Sequence, residues 1–181
     1  MSGTSRKGAA LILAAALLGL WCGASSADEP QIYRHRYGIA FPLSSGLVVY
    51  SPEHPGLFSF KTDTLFYVMK RRGPGDFILV NEFAASSEKV LAEVKSSLEG
   101  GLAQPGYRQI AVRSVKVGKN QDKEAVEHIF ELGGGPKRIL RQVSLVHQGK
   151  GFFFTCSAAA DRFEQADKEL FEPFFRSLVF E

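Results

Sequence analysis

Apolar residues recur along residues 31–181 at two spacings, and each spacing predicts a different kind of element. Alternation of apolar and polar positions is typical of a strand with one buried face. The segments with this spacing are residues 37–41, 47–50, 65–69, 77–83, 109–117, 124–132, 138–147, 152–158 and 177–180. Glycine-rich or polar turns separate most of them, so the pattern predicts a protein built mainly from short, sequentially connected strands.

Two other segments carry apolar residues at helical spacing. The first begins after Ser86 or Ser87, either of which can cap a helix, and it ends at a glycine pair. The second begins at Asp161, which together with Glu164 matches a capping box, and Pro173 is predicted to end or kink it near its last turn. The apolar stripes are Val90, Leu91, Val94 and Leu98 in the first helix, and Phe163, Ala166, Leu170 and Phe174 in the second.

The short connections between the predicted strands favour antiparallel neighbours. The expected fold class is therefore α+β, with an antiparallel sheet of about eight strands and two principal helices packed on it. Within the strand at 109–117, the apolar positions change phase between Val112 and Val115, which predicts a bulge there. No linker, repeat or low-complexity run interrupts the pattern, so residues 28–181 are expected to form a single domain.

The first 27 residues have the organisation of a secretory signal peptide. Arg6 and Lys7 precede an uncharged stretch rich in alanine and leucine, and Ser25 and Ala27 supply small side chains before Asp28. We expect cleavage after Ala27, which leaves no transmembrane segment in the mature chain, since spanning a bilayer takes roughly 20 apolar residues. The mature protein is then expected to be soluble and periplasmic, or otherwise outside the cytoplasm.

A lipoprotein is the alternative product of this export segment. Lipidation at Cys22 would tether the protein, but that processing favours a small residue just before the cysteine, and Trp21 fills the position. The sequence therefore favours a mature protein without a lipid on Cys22.

The charge balance gives no reason to expect nucleic acid as a partner. Removal of residues 1–27 takes away Arg6 and Lys7 and no acidic residue, so 22 basic residues become 20, against 19 acidic ones. A near-neutral chain has no net field to attract a polyanion. Local basic clusters at 34–36, at 70–72, and at Lys137, Arg138 and Arg141 are interpreted as solvated strand ends and turns.

The cysteine content leaves little scope for thiol chemistry. Cys156 is the only cysteine after processing, so no internal disulfide can form. Its phase matches Phe152, Phe154 and Ala158, which predicts a thiol buried in the core rather than an exposed nucleophile paired with His128 or His147.

Motifs for metals and phosphates are also missing from the sequence. His128 has the phase of Val126 and Phe130, whereas Glu127 and Glu131 project from the opposite face of the same strand, so they are not expected to share a metal. The glycines at 133–135 join two predicted strands and lack both the Walker spacing and a following helix. No catalytic, cofactor-binding or metal-ligating residue is predicted, and no cofactor.

The phenylalanines are the most informative apolar residues. A cluster that comprises residues 152–154 with Phe171, Phe174 and Phe175 either fills the core or lines a pocket for an apolar ligand. Phe153 and Phe175 distinguish these hypotheses, because alternation places Phe153 opposite its neighbours and helical spacing leaves Phe175 beside the core stripe.

In the order of its elements and in several segments, the chain resembles the PsbP-like superfamily. That superfamily includes the extrinsic oxygen-evolving protein of photosystem II and the bacterial periplasmic DcrB-type proteins. The matching segments are residues 37–42 (Tyr-Gly-Ile-Ala-Phe-Pro), the helix near 87–99, residues 151–158 (Gly-Phe-Phe-Phe-Thr-Cys-Ser-Ala), Phe163, Phe171, Glu172 and residues 176–180. The resemblance covers essentially the whole mature chain and implies a PsbP-like α/β/α sandwich.

The resemblance also implies a class of function. Members of the superfamily serve in general as accessory, assembly or binding proteins, so the expectation is a non-enzymatic exported protein that binds another envelope component, chiefly a protein. Two alternatives stay open: a carrier for a small apolar, lipid-like ligand, and a hydrolase whose site is assembled from distant segments. No metal-site residue of the photosystem protein can be matched, so neither manganese nor photosynthesis is implied.

Overall fold

A computed structural model of the chain describes residues 31–44, 46–56, 61–71, 73, 75–85, 87, 89–100, 105–133 and 135–181. The predicted signal peptide with its cleavage after Ala27, the alternative lipid site at Cys22, and Ser86 lie outside the described residues.

Among the described residues, ten strands form two antiparallel sheets. In chain order they are β1 (Ile32–His35), β2 (Ile39–Pro42), β3 (Leu47–Tyr50), β4 (Thr64–Lys70), β5 (Phe77–Phe83), β6 (Tyr107–Val117), β7 (Lys123–Leu132), β8 (Arg138–His147), β9 (Lys150–Ala159) and β10 (Val179–Phe180). Seven of them form the central sheet, in the spatial order β3-β4-β5-β9-β8-β7-β6, and β1, β2 and β10 form a small second sheet. The predicted α+β class with an antiparallel sheet is confirmed.

One face of the central sheet, here called the inner face, packs against the C-terminal helical segment, residues 160–177. This segment consists of a 3-10 turn (Ala160–Arg162), helix α2 (Phe163–Ala166), a π-helical turn (Asp167–Phe171) and helix α3 (Glu172–Ser177). The main core lies between them, and Ile39 and Phe41 of the small sheet join it. Its largest members are Phe41, Phe66, Phe152, Phe154 and Phe171, all at most 1% exposed.

The opposite face, here called the outer face, carries a further helix, α1 (Val90–Glu99). Leu91 of this helix packs with Val126 and Val146 of the outer face in a second, smaller core. Helices therefore lie on both sides of the central sheet, which gives the predicted α/β/α arrangement.

The helix ends differ from the prediction in three details. The N-terminus of Val90–Glu99 is closed by a backbone bond from Val90 to the Ser87 carbonyl, and no side chain caps it. The predicted capping box at Asp161 is wrong, because residues 160–162 form a 3-10 turn and no side-chain cap bond precedes it or α2. Of the two predicted effects of Pro173, the end of the helix is wrong: a π-helical turn lies just before Pro173, and α3 continues through it to Ser177.

The predicted bulge in β6 lies elsewhere in that strand. Its pairing with β7 shifts register between Gln109 and Ala111, and pairing is regular from Ala111 to Val117. Val112 lies on the outer face, where it joins the small core, whereas Val115 lies on the inner face, so the phase change in the sequence reflects two buried faces rather than a bulge.

Candidate functional site: an arginine-lined pocket

A carboxylate lies completely buried in the inner face of the central sheet. Glu127 of β7 is 0% exposed, and its two oxygens accept hydrogen bonds from Arg113 of β6 and from Arg141 of β8. The Arg141 bond, from Nε to Oε1, is 2.7 Å long. Arg113 stands directly opposite Glu127 in the β6–β7 register. The two arginines thus replace the water that an ionised carboxylate loses on burial.

Arg141 connects the sheet to the C-terminal helical segment. It is 8% exposed, and its terminal nitrogen donates to Asp167 at 2.8 Å and to Glu172 at 3.0 Å. The guanidinium also lies 5.0 Å from the centre of the Phe175 ring, in cation–π contact. Three carboxylates and one aromatic ring therefore fix the position of this side chain.

A further arginine extends the set of ion pairs along α3. Arg176 donates from Nε to Glu172 at 2.8 Å, one helical turn away. We call the six side chains together the arginine network. Its members are Arg113, Glu127, Arg141, Asp167, Glu172 and Arg176.

Two members of the network, Arg141 and Glu172, have pKa values shifted in favour of their charged forms. Burial lowers the pKa of Arg141, but the hydrogen bond to Asp167 and the charge of Glu127 outweigh it and raise that pKa above its ordinary value. Burial likewise raises the pKa of Glu172, and the bonds from Arg176 and Arg141 overcome it, so the net shift is downward.

A small cavity of about 200 Å³ opens beside the arginine network, and we call it the arginine pocket. Arg113 and Arg176 stand at its edge with side chains 61% and 67% exposed. The lining comprises Arg113, Val115, Lys116, Val117, Gly118, Gln121, Glu127, Arg141, Glu172, Phe175 and Arg176.

The turn between β6 and β7 holds the end of the helix against this pocket. The Gly118 amide donates to the Phe175 carbonyl at 3.0 Å, and the Lys119 amide donates to the Leu178 carbonyl at 2.7 Å. Backbone bonds and the charged side chains thus fix the same edge of the sheet to the same helix end.

The pocket has the chemistry of an anion-binding site. Arg113 and Arg176 each use Nε within the network, and in the described part of the chain their terminal nitrogens bond no other residue. Planar guanidinium groups suit two-point binding of carboxylates and phosphates.

Solved structures with the same architecture come from three distant organisms. The cyanobacterial PsbP protein CyanoP of Synechocystis sp. PCC 6803 is 15% identical, with a TM-score of 0.57 over 88% of this chain and 97% of that one. LpqN, involved in cell envelope biogenesis of Mycobacterium tuberculosis, is 13% identical, with a TM-score of 0.53 over 83% and 90%. The Saccharomyces cerevisiae Ran-binding protein Mog1p is 8% identical, with a TM-score of 0.51 over 84% and 95%.

The chain has a PsbP-like fold. No family model and no curated protein matches the sequence. Within this PsbP-like fold, no helix in the described ranges is both long enough and apolar enough to cross a membrane.

The PsbP-like fold keeps the residues considered for thiol catalysis apart. Cys156 is 0% exposed on the inner face, as predicted, and burial raises the pKa of its thiol well above the ordinary value. His128 lies on the outer face of the same sheet, and His147 lies at the far end of β8, bonded to the Glu181 carbonyl at 3.1 Å. Neither histidine meets the thiol.

His128 is buried in an aromatic setting on the outer face. Its Nε2 lies 2.8 Å from the Tyr107 hydroxyl, its ring stacks on Phe130 with centres 4.4 Å apart, and its Nδ1 has no hydrogen-bond partner in the described structure. Burial lowers the pKa of this imidazole. Among the described residues, no group of three or more His, Cys, Asp or Glu side chains is placed to hold a metal ion.

The phenylalanine cluster divides between the two faces. Phe175 is 2% exposed and belongs to the main core, together with Phe152, Phe154, Phe171 and Phe174. Phe153 projects from the outer face, as predicted, where it stacks on Phe83 with ring centres 4.2 Å apart and stays half-buried.

Sequence reasoning missed the arginine network. Arg141 was expected to be solvated with Lys137 and Arg138, and this expectation is wrong, because Arg141 alternates in phase with Ile139 and Val143 and points into the protein. The same phase argument identifies Glu127, which alternates with Ala125 and Ile129. The sequence signal that could have identified the network was a charged residue at an inward-facing position in each of two adjacent strands.

Proposed function

We propose that this protein is a non-enzymatic, exported accessory or assembly protein that binds a protein of the cell envelope. The observation that carries the proposal is the arginine pocket: two arginines stand exposed at its edge, each held through Nε, with terminal nitrogens that bond no other described residue. Arginines of this kind are common anchors of protein interfaces.

The export part of the proposal rests on the pattern of residues 1–27, with cleavage after Ala27. The solved structures support an envelope role only by analogy of fold, since LpqN is described as involved in cell envelope biogenesis and Mog1p as Ran-binding. Binding rather than catalysis is favoured because the carboxylates of the pocket are already paired with arginines.

Photocrosslinking in living cells tests this function. A photoreactive amino acid at Asn120, exposed in the turn beside the arginine pocket, should capture one discrete envelope protein, identified by mass spectrometry. The same group at Glu93, exposed on the helix that covers the outer face, is the matched control. An absence of adducts at Asn120, or equal capture of many proteins at both positions, would contradict the proposal.

A carrier for a small apolar ligand is the second candidate, and a specific cavity favours it. A space of about 450 Å³ lies between the β2–β3 connection and the C-terminal helical segment. Its wall is largely apolar, with Leu170, Pro173 and Phe174, and Lys70 and Arg71 contribute the cations. This volume is within the range of about 300–1,000 Å³ that small ligands occupy.

Native mass spectrometry separates the two candidates. Protein purified gently from its own host should be free of lipid if it is a protein-binding factor. A stoichiometric co-purifying lipid that is lost when Phe174 is replaced by a larger or charged residue would support the carrier instead.

A further inference from the structure

We propose that the arginine pocket receives a carboxylate from an acidic side chain of the partner protein, bound by the terminal nitrogens of Arg113 and Arg176. This inference rests on the proposed function, because it specifies the chemistry of the partner's contact. Its physical basis is the set of hydrogen-bond donors at the mouth of the pocket, the size of the pocket and the rigidity of its donors.

The pairing of the charged side chains leaves hydrogen-bond donors at the mouth. Four cationic side chains line the cavity, namely Arg113, Lys116, Arg141 and Arg176, against two carboxylates. Each carboxylate is held by two arginines, Glu127 by Arg113 and Arg141, and Glu172 by Arg141 and Arg176. Outside the lining, Glu124 pairs with Lys116 and Asp167 pairs with Arg141. Among the described residues, the terminal nitrogens of Arg113 and Arg176 bond no other residue, so they are the donors at the mouth that an incoming carboxylate would pair with.

The size of the pocket favours one end of a side chain over a whole small molecule. Its volume of about 200 Å³ is smaller than the roughly 300–1,000 Å³ of typical ligand pockets. A carboxylate that enters such a pocket would belong to a larger body that rests on the surface outside. A partner protein with an exposed aspartate or glutamate fits this requirement.

The donors are positioned before the partner arrives. Arg141 is fixed by Glu127, Asp167 and Glu172 and lies on the Phe175 ring. The exposed arginines are in turn anchored at Nε, Arg113 by Glu127 and Arg176 by Glu172, so less side-chain freedom is lost on binding. Rigid guanidinium pairs give geometric selectivity for planar two-oxygen groups over single-point anions such as chloride.

A titration followed by NMR spectroscopy tests the proposal on the secreted mature protein. The probe is an acetylated, amidated pentapeptide with two glutamates, compared with the same peptide with two glutamines and with inorganic phosphate at equal ionic strength. We expect saturable shifts confined to amides of residues 113–121 and 172–176 with the glutamate peptide. The glutamine peptide should leave these amides unshifted.

Charge-removing variants at the pocket test the assigned donors. The double variant R113Q/R176Q should lower the affinity for the glutamate peptide by about tenfold or more, which corresponds to the loss of two charge-assisted contacts. R108Q is the matched control, since Arg108 lies on the same strand, is 63% exposed, pairs with Glu131 and is remote from the pocket lining. It removes one positive charge, as R176Q alone does, and it should bind the peptide as the unmodified protein does.

Arg113 neutralises a buried carboxylate, so its replacement affects folding as well. R176Q alone removes only an exposed ion pair, so the NMR spectrum should remain that of the folded protein. Its affinity for the glutamate peptide should fall severalfold. Equal binding by R176Q and R108Q would overturn the assignment.

The remaining outcomes overturn the inference in different ways. If phosphate shifts the same amides and binds more tightly than the glutamate peptide does, the pocket is a phosphate site. Absence of saturable shifts at these amides would show that the pocket does not take a carboxylate. If crosslinking from Asn120 still captures one envelope protein in either case, the proposed function stands and only this inference fails.

Discussion

A buried carboxylate costs several kcal/mol of unfolding free energy unless the protein replaces its water with charged donors. Glu127 illustrates this at the scale of one residue, because its oxygens are occupied by Arg113 and Arg141 and it has no contact with solvent. The side chain is therefore coupled to its partners more strongly than any exposed acidic residue of the same strand.

Replacement of Glu127 by alanine should lower the free energy of unfolding by about 3–5 kcal/mol, because Arg141 is left buried with one fewer counter-charge. Glu124→Ala is the matched control on the same strand: its pair with Lys116 is exposed at 3.3 Å, so its loss should stay within about 1 kcal/mol. Urea unfolding measures both. Equal stability of the two variants would contradict the structural role assigned to Glu127.

The thiol of Cys156 should be inert in the folded protein, since it is fully buried and burial raises its pKa. Iodoacetamide should label it only after unfolding, as followed by mass spectrometry. A Ser97→Cys variant supplies an exposed thiol on the outer-face helix, and this thiol should react in the native state. Native labelling of Cys156 at a comparable rate would show that the core opens there.

At the scale of elements, the β1–β2 hairpin closes against the last residue of the chain. The Glu181 amide donates to the Gly38 carbonyl at 2.8 Å, and a Cβ atom on Gly38 would come within 2.5 Å of the Glu181 carbonyl oxygen. The hairpin and the C-terminus therefore need a glycine at this turn.

Gly38→Ala should destabilise the protein more than Gly149→Ala does. Both glycines have positive φ, 69° and 72°. Each variant therefore holds an alanine in the left-handed region, which lowers the free energy of unfolding by about 1–2 kcal/mol. Only Gly38 adds a backbone clash, since a Cβ on Gly149 meets nothing within 4 Å. Thermal unfolding should show at least about 1 kcal/mol of difference between the variants, and equal losses would contradict this packing.

Elements with a clear alternation of buried and exposed residues could be predicted from the sequence, whereas strand β1 and the π-helical turn could not. In strand β9, Phe152, Phe154 and Cys156 are fully buried, whereas Phe153 is half-buried on the opposite face. Cys156 and Phe153 could be assigned to their faces from this alternation alone. Strand β1 was not predicted, since its four residues alternate between exposed and half-buried positions. The π-helical turn depends on packing of residues far apart in sequence, which local spacing does not contain.

The candidate site was less predictable than the fold for a related reason. Alternation places Arg141 and Glu127 inward, but the partner of each inward charge depends on which strands become neighbours in the sheet. Asp167 and Glu172 reach Arg141 only after the C-terminal helical segment packs on the sheet. Charged residues are mostly exposed in proteins, so composition alone predicts that these side chains are solvated. Their burial depends on tertiary contacts that composition does not contain.

At the scale of the whole molecule, several histidines make stability depend on pH. Burial lowers the pKa of His35, His128 and His147 in the folded protein. In the unfolded chain they titrate near 6.5. The unfolded state therefore binds more protons below that pH, so the free energy of unfolding should fall as pH decreases from about 7 to 5.

Urea unfolding at several pH values checks this expectation, and His128→Gln should make the dependence shallower because it removes one of the titrating groups. Constant stability between pH 7 and 5, or stability that rises on acidification, would contradict the buried placement of these imidazoles.

The mature chain should begin at Asp28. Mass measurement of the protein from its host should give residues 28–181 without modification, in agreement with removal of the export segment. A heavier species that begins at Cys22 would instead identify a lipoprotein, and an intact Met1 would contradict export.

Crosslinking in the living host tests the central claim most directly, when the photoreactive group at Asn120 is combined with the pocket variants. Our account predicts one adduct with an envelope protein, reduced about tenfold or more in R113Q/R176Q and unchanged in R108Q. An adduct of equal yield in all three backgrounds, or none in any, would contradict the claim that the arginine pocket binds an envelope partner.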